Sequence, residues 1–327
     1  MSSGVVDILT LVRICLLTHR DPSVVADDLP TVLAAAARHG MQVVTHDGEV
    51  AKHPGLAAFV DAGAVGQPWE SVARGADFVL VLAGDGTLLR VLNALPDGPP
   101  VLGVNYGMLG YLSGIGHREL DGAITAIAHG EYRTVEFPLL EGHIAGMPGF
   151  TAGNDIVASG GVTGRIIEVA WRIVSHAGES DEQVDTMGIV PCDGMVIATP
   201  VGSTAYNLSN GGPVLAWGVR GFVVSFIAPH TLAARPMVVA PGDLVELEHL
   251  GRGAELQLFA DGSQVGVLEP GQRLRVGYGT AQSRLAMVDT KSFYARYRDS
   301  FAAEAHEEHV RRPRTLPASP VVPEVQP

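Results

Sequence analysis

Phe78-Val79-Leu80-Val81-Leu82-Ala83-Gly84-Asp85-Gly86-Thr87-Leu88-Leu89-Arg90-Val91-Leu92-Asn93-Ala94-Leu95 holds three textures in succession. The continuous apolar run Phe78 to Ala83 fits a strand buried on both faces of a parallel sheet, where no solvent side calls for alternation. Gly84-Asp85-Gly86-Thr87 breaks the run, and Leu88 to Leu95 then repeats apolar residues at helical spacing. Strand, turn and helix in that order put the turn outside the carboxyl end of a strand, where open α/β sheets bind ligands. Free backbone N–H groups and the positive end of the helix dipole attract phosphate there. The flanking glycines keep Cβ atoms clear of a ligand, leaving the Asp85 carboxylate to take a proton from an attacking hydroxyl or to hold Mg²⁺. An Asp that merely caps a helix is the plainer account of the same residue.

The surrounding chain alternates in the same way. Strands are predicted over Arg13 to Leu17, Met41 to Thr45 and Val101 to Val104, with an alanine-rich helix over Val32 to Arg38. Pro30 near its start and Gly40 past its end are the usual helix punctuation. Strands alternating with helices indicate an open, mainly parallel α/β N-terminal domain. After Glu119 the texture turns to β: Ile166 to Val174, Asp243 to His249, Glu255 to Phe259 and Arg273 to Val276, with Asp261-Gly262 as a hairpin signal. The expectation is an all-β, sandwich-like C-terminal domain. Residues 1–118, with 290–310 returning, form the α/β domain. Residues 119–289 form the β-rich domain, and the proline-rich 311–327 is a disordered tail.

Composition narrows the function. A net charge of -13 over 327 residues argues against a nucleic-acid partner. Two cysteines, Cys15 and Cys192, cannot build a disulfide framework, which with no recognisable export signal or membrane span predicts a cytoplasmic protein. All but two of the 22 Lys and Arg residues are arginine, and neither Lys52 nor Lys291 lies in a P-loop or in the strand signature of protein kinases. His306 and His309 have the spacing of a metal pair, but no third ligand accompanies them, so a solvated helix face is the simpler reading.

Two further stretches carry polar chemistry. Cys192-Asp193-Gly194-Met195-Val196-Ile197-Ala198-Thr199-Pro200-Val201-Gly202-Ser203-Thr204-Ala205-Tyr206-Asn207-Leu208-Ser209-Asn210-Gly211-Gly212-Pro213 runs from an apolar strand into small and hydroxyl residues. Such a segment lets backbone approach a ligand and supplies short hydrogen bonds, or it is an ordinary strand-loop-helix connection. Asn154-Asp155 pairs an amide, able to read a base edge, with a carboxylate, able to take a ribose hydroxyl; alone it is equally a turn. Arg90 and Arg165 are candidate phosphate partners, because a guanidinium forks onto phosphate oxygens.

Taken in order, these pieces resemble the NAD kinase family, whose pattern is Gly-Gly-Asp-Gly-Thr, then Asn-Glu or Asn-Asp, then Asp-Gly…Thr-Pro-Thr-Gly-Ser-Thr-Ala-Tyr…Ser-x-Gly-Gly-Pro. Gly103-Val104-Asn105-Tyr106-Gly107-Met108-Leu109-Gly110-Tyr111-Leu112 and Pro229-His230-Thr231-Leu232-Ala233-Ala234-Arg235-Pro236 are similar to supporting segments of that family. The resemblance spans roughly residues 12–302. It implies phosphoryl transfer from ATP, or in some members polyphosphate, to the 2′-hydroxyl of the NAD adenosine ribose, with a divalent cation such as Mg²⁺ or Mn²⁺. It implies Asp85 as proton acceptor, beside Gly86, with Gly84, Gly86 and Thr87 as the phosphate loop. Asn154 and Asp155 would hold the adenosine and ribose, and Asp193, Thr204, Ala205, Tyr206, Asn207, Leu208 and Ser209 would line the dinucleotide pocket, with Asp85, Gly86, Arg90 and Arg165 also binding NAD. It further implies a homo-oligomer, dimer or tetramer, whose neighbouring subunit completes the site through Asp193 and Arg165. The chain departs from the pattern at Ala83, Asp155, Val201 and Pro191. An alanine at position 83 would strain the turn if that residue needed a positive φ. A dinucleotide-binding sensor without turnover, and a related kinase acting on a lipid or sugar hydroxyl, are the alternatives.

Overall fold

The computed structural model describes residues 11–59, 65–107, 110–160, 166–176, 182–251 and 255–302. The chain forms two compact units, Met1–Thr290 and Lys291–Pro327. The first unit begins with β1 (Arg13–Thr18), α1 (Leu29–Arg38), β2 (Gln42–Val44), α2 (Asp47–Lys52), α3 (Trp69–Arg74), β3 (Phe78–Leu82), α4 (Asp85–Ala94), β4 (Val101–Asn105), β5 (Ile115–Gly116) and α5 (Leu120–His129). β4, β3, β1 and β2 lie side by side and parallel. Each strand sends alternate residues to opposite faces. Phe78, Leu80 and Leu82 join α1 and α5 in one core, and Val79 and Val81 join α3 and α4 in another. Helices on both faces are why every residue of β3 is apolar and buried.

The β-rich half contains β6 (Arg133–Ile144), β7 (Phe150–Ala152), β8 (Asp155–Ser159), β9 (Ile167–His176), β10 (Glu182–Cys192), β11 (Gly194–Ala198), the short α6 (Tyr206–Ser209), β12 (Phe222–Ile227), β13 (Met237–Val239), β14 (Leu244–His249), β15 (Leu256–Ala260), β16 (Ser263–Leu268) and β17 (Arg273–Met287). β13-β12-β11-β8-β15-β16 is an antiparallel sheet. It packs through Ile156, Met195, Ile197, Phe222 and Leu258 against Val169, Trp171, Val245, Leu247 and Leu274 of β9, β14 and β17. That is the sandwich expected from sequence. The parallel and antiparallel strands also share one sheet, because β17 runs antiparallel to β6 and β14 and meets β4 in parallel at Leu285 and Val101.

β17 is much longer than the segment Arg273 to Val276 read from the sequence, and β6 escaped that reading. Pro138 inside β6 argues against a strand, but it lies where the β6–β17 register shifts, between Tyr278 and Gln282. The β10 segment hid for another reason: Glu182 to Met187 are all exposed, so no apolar alternation marks it. In the second unit, Ser292 caps α7 (Phe293–Tyr297) by accepting the Ala295 N–H at 3.2 Å. His306, His309 and the segment 311–327 lie outside the described residues. Among those described, no helix is long and apolar enough to cross a membrane.

Candidate active site

Gly84 is the N-cap of α4 and Asp85 its first helical residue. The Asp85 carboxylate does not cap its own helix. One oxygen accepts the backbone N–H groups of Tyr111 (2.5 Å) and Leu112 (2.8 Å). The other accepts the N–H (2.9 Å) and the hydroxyl (2.6 Å) of Ser113. A carboxylate has about four lone-pair sites, so these four donors fill it and tie the Gly110-Tyr111-Leu112 segment to the start of α4. Ala83 is fully buried and is not among the positive-φ residues. Its N–H donates to the Val104 carbonyl at 3.1 Å. The alanine departure therefore introduces no backbone strain.

One turn along α4, Leu89 forms part of the wall of a cavity of about 370 Å³. Asp155, Val157 and Ser159, alternate residues on one face of β8, form another part, and Asn154, Ala205 and Tyr206 complete that side. Among the described residues, the buried Asn154 Oδ1 has no hydrogen-bond partner. Asp155 is 6% exposed, and none of the hydrogen bonds of the described residues reaches its carboxyl group. Burial first, and the Asp261 charge second, push the Asp155 pKa up to about 7. Two adjacent polar groups, buried and unspent, therefore face an apolar-walled cavity. Groups of this kind are stabilised only when a ligand supplies their hydrogen bonds.

The loop after β11 is built to press on these two residues. The Thr199 N–H donates to the Asn154 carbonyl (2.9 Å) and the Thr199 hydroxyl to the Gly153 carbonyl (2.6 Å). Gly202 donates to the Thr199 hydroxyl at 3.1 Å, and a Cβ on Gly202 would collide with the Asn154 backbone. That close approach requires the glycine. Other polar side chains of the stretch hold the loop itself together. The Ser203 hydroxyl donates to the Pro200 carbonyl (2.7 Å) and accepts the Leu215 N–H (2.9 Å). The Thr204 hydroxyl donates to the Val201 carbonyl (2.9 Å). Buried Asn207 donates to the Ser203 and Pro213 carbonyls, both at 3.0 Å. Of the residues from Thr204 to Ser209, only Ala205 and Tyr206 line the cavity. Asp193 is exposed on the turn before β11, whose first residue pairs with Ser159. Arg165 lies outside the described residues.

Asp261 is the residue that sequence reasoning missed. With Gly262 it forms the turn between β15 and β16, at φ 46 and 76, as the Asp-Gly hairpin signal predicted. Its carboxylate also accepts the backbone N–H groups of Gly153 (2.8 Å), Asn154 (2.7 Å) and Asp155 (3.1 Å), together with the Asn93 side-chain amide of α4. Burial raises its pKa, against the lowering effect of those bonds.

The opposite flank of α4 borders a second cavity, of about 410 Å³. Thr87 and Arg90 face it, with Arg20, His46, Lys52 and Trp69. Its one acidic residue, Glu49, is engaged by Lys52 (2.7 Å) and by the Thr18 hydroxyl (2.5 Å). Burial lowers the His46 pKa, against the nearby Glu49 charge. Arg20 and Arg90 are exposed there, with Arg90 bonded to the Thr87 hydroxyl at 3.3 Å. Arg90 thus sits apart from the Asn154–Asp155 cavity.

A glycine-framed Asp at a helix start, with an anion-friendly cavity on one flank and, on the other, an apolar-walled cavity that carries buried polar groups, is the layout of a phosphotransferase site. Residues 26–132 match the ATP-NAD kinase N-terminal domain and residues 177–288 the ATP-NAD kinase C-terminal domain. The NAD kinase of Moorella thermoacetica is 34% identical over 271 residues, covering 80% of this chain and 83% of that one. That of Carboxydothermus hydrogenoformans is 35% identical over 238 residues, covering 71% and 81%. Yeast NADH kinase, solved with NADH, has the same fold at a TM-score of 0.75 and 19% identity, covering 89% of this chain and 87% of that one. An NAD kinase from Archaeoglobus fulgidus, solved with ATP, gives 0.65 at 24% identity, covering 89% and 97%. The chain belongs to the NAD kinase family.

Proposed function

We propose that the chain phosphorylates NAD to NADP, with the adenosine of NAD in the cavity between α4 and β8 and the Asp85 carboxylate as the proton acceptor. The observation that carries this reading is the unspent pair Asn154 Oδ1 and Asp155, buried in the wall of a cavity that also borders α4 one turn beyond Asp85. An amide and a carboxylate side by side match a base edge and a ribose hydroxyl. The ribose O2′ forms a bond to the terminal phosphorus of ATP, the bond from that phosphorus to ADP breaks, and the hydroxyl proton passes to Asp85. Because four donors fill the Asp85 carboxylate at rest, it must exchange at least one of them for the acceptor hydroxyl. The rest of the catalysis is positioning and charge stabilisation.

The donor phosphates belong on the other flank, near Thr87, Arg90 and Arg20, with the N–H groups of Gly84 to Gly86 at the helix start. A divalent cation, Mg²⁺ or Mn²⁺, fits this arrangement only as a companion of the phosphates. No group of three or more His, Cys, Asp or Glu side chains among the described residues is placed to hold one, and Mg²⁺ is commonly bound by one or two carboxylates plus phosphates and water. Held with the phosphates, the cation would neutralise charge on the transferring phosphoryl group. Asp193 and Arg165 are assigned to the dinucleotide pocket through a neighbouring subunit of a cytoplasmic homo-oligomer, a role supported by the exposed turn that carries Asp193. The two halves, 1–118 and 119–289, act as donor and acceptor lobes. Incubating purified protein with NAD, ATP and Mg²⁺ and measuring NADP tests the reading. Saturable NAD binding with no NADP from any donor would replace it with a sensor.

A further inference from the structure

Asp261 does more than turn a hairpin. Its carboxylate gathers three consecutive backbone N–H groups, Gly153, Asn154 and Asp155, and the Asn93 amide from the far end of α4. A second, independent contact marks the same junction: a Cβ on Gly153 would collide with the Asn93 side chain. The turn carrying Asn154 and Asp155 is thus seated directly on the helix that carries Asp85. Asp261 also lines the acceptor cavity beside Asp155. We propose that Asp261 is a positioning residue of the reaction, one that fixes the acceptor-binding pair Asn154–Asp155 to the catalytic helix and sets the charge state in which Asp155 meets the ribose. This rests on the NAD kinase reading given above.

The two effects have separate signatures. Losing the N–H cradle lets the Asn154–Asp155 turn drift, which weakens acceptor binding; hydrogen bonds to a charged group are worth roughly ten- to a hundredfold in affinity. Losing the charge acts on Asp155. Among the described residues, Asp261 is the charged group that lines the cavity beside Asp155, and Tyr206 is the other titratable group there. Two carboxylates sharing a site hold one another's protons, so removing one lets the other ionise at lower pH. If the ionised form accepts the ribose hydroxyl, the KM for NAD falls as pH rises through about 7 in wild type, and the fall moves to lower pH when Asp261 is neutral.

Asp261→Asn and Asn93→Ala, each compared with wild type from pH 5.5 to 8.5, test this. Asp261→Asn is expected to raise the KM for NAD by about tenfold or more at neutral pH, leave the KM for ATP within about twofold, and shift the pH profile of the NAD term downward. Asn93→Ala keeps the charge and the backbone cradle but cuts the link to α4, so kcat falls by more than the KM for NAD rises and the pH profile stays in place. A folded Asp261→Asn with the wild-type KM for NAD and an unmoved profile overturns the proposal. If Asp261→Asn does not fold, a wild-type kcat in Asn93→Ala does the same. Wild type that forms no NADP would remove the underlying reading instead; calorimetric NAD binding across the same pH range then still reports the Asp155–Asp261 coupling without turnover.

Discussion

The two flanks of α4 are similar in size and opposite in charge. Among the described residues, the cavity beside Leu89 is lined by two acidic side chains, Asp155 and Asp261, and by no basic one, whereas the cavity beside Thr87 and Arg90 is lined by Arg20 and Arg90 together with a Lys52–Glu49 pair. In a chain of net charge -13 this contrast is what the proposed function uses to separate the substrates: on that reading a triphosphate goes to the arginine side and the hydroxyl-rich adenosine of NAD to the acidic side. Both cavities border α4, the helix that begins at Asp85. A cavity wall that holds a buried carboxyl pair also carries a standing cost, whereas Arg20 and Arg90, being exposed, carry almost none.

The largest effect expected from breaking this arrangement comes from its shared element. Asp85→Asn removes the proton acceptor and should lower kcat by roughly 10²–10⁴-fold. The amide oxygen can still accept the Tyr111 and Leu112 N–H groups, so single-turnover chemistry collapses while NAD binding by calorimetry stays within a few-fold. Undiminished turnover in a folded variant takes Asp85 out of the mechanism.

Next in size is the cost of the acidic flank. Burial holds the proton on Asp155 up to about pH 7, well above the ordinary value of 3.8. The folded chain therefore binds that proton more tightly than the unfolded one. The resulting loss of stability is absent below about pH 4, grows between pH 4 and 7, and is complete above 7, where it amounts to on the order of 4 kcal/mol. Asp155→Asn should make the ligand-free protein more stable at pH 8 by up to that amount, leave it unchanged near pH 4, and weaken NAD binding. Urea midpoints at the two pH values check this. An Asn variant that is no more stable at pH 8 would mean the buried carboxyl is already relieved in the free protein.

Smaller and opposite in selectivity are the basic-flank variants. Arg20→Ala and Arg90→Ala should each raise the KM for ATP by about tenfold, with a steeper salt dependence in wild type than in the variants, and leave the KM for NAD unchanged. Initial rates with either substrate varied, at two ionic strengths, measure this. A rise in the NAD term instead would erase the division between the flanks.

How much of this was legible depended on how local each signal was. Phe78 to Thr87 could be read outright, because strand burial, the glycine turn and the helix start follow from neighbouring residues, and Asn154–Asp155 was recognisable as a pair. Asp261 was read only as a hairpin residue, since its other role depends on Gly153 to Asp155, more than a hundred residues earlier in the chain. The basic flank was hidden for the same reason: Arg20, Lys52 and Arg90 meet only after three βα units have stacked. In the Thr199 to Ser209 stretch the residue types were plain but not their direction. Thr199, Ser203 and Thr204 spend their hydroxyls, and Asn207 its side-chain N–H groups, on their own loop and its support, and sequence cannot say which hydroxyl faces a ligand.

The smallest expected effect concerns Ala83, the residue beside the phosphate loop that departs from the family's glycine. Its backbone sits outside the positive-φ region and its methyl group belongs to the α3–α4 core. Restoring glycine therefore relieves no strain. It removes a buried methyl and frees the unfolded backbone, so Ala83→Gly should destabilise the fold by about 1 kcal/mol or somewhat more and leave kcat and both KM values within about twofold. Chemical denaturation together with steady-state rates gives both numbers. A tenfold gain in kcat or in ATP affinity would show that the alanine Cβ crowds the bound donor, and that the helix head between the flanks is tuned by the residue before Gly84 as well as by Asp85.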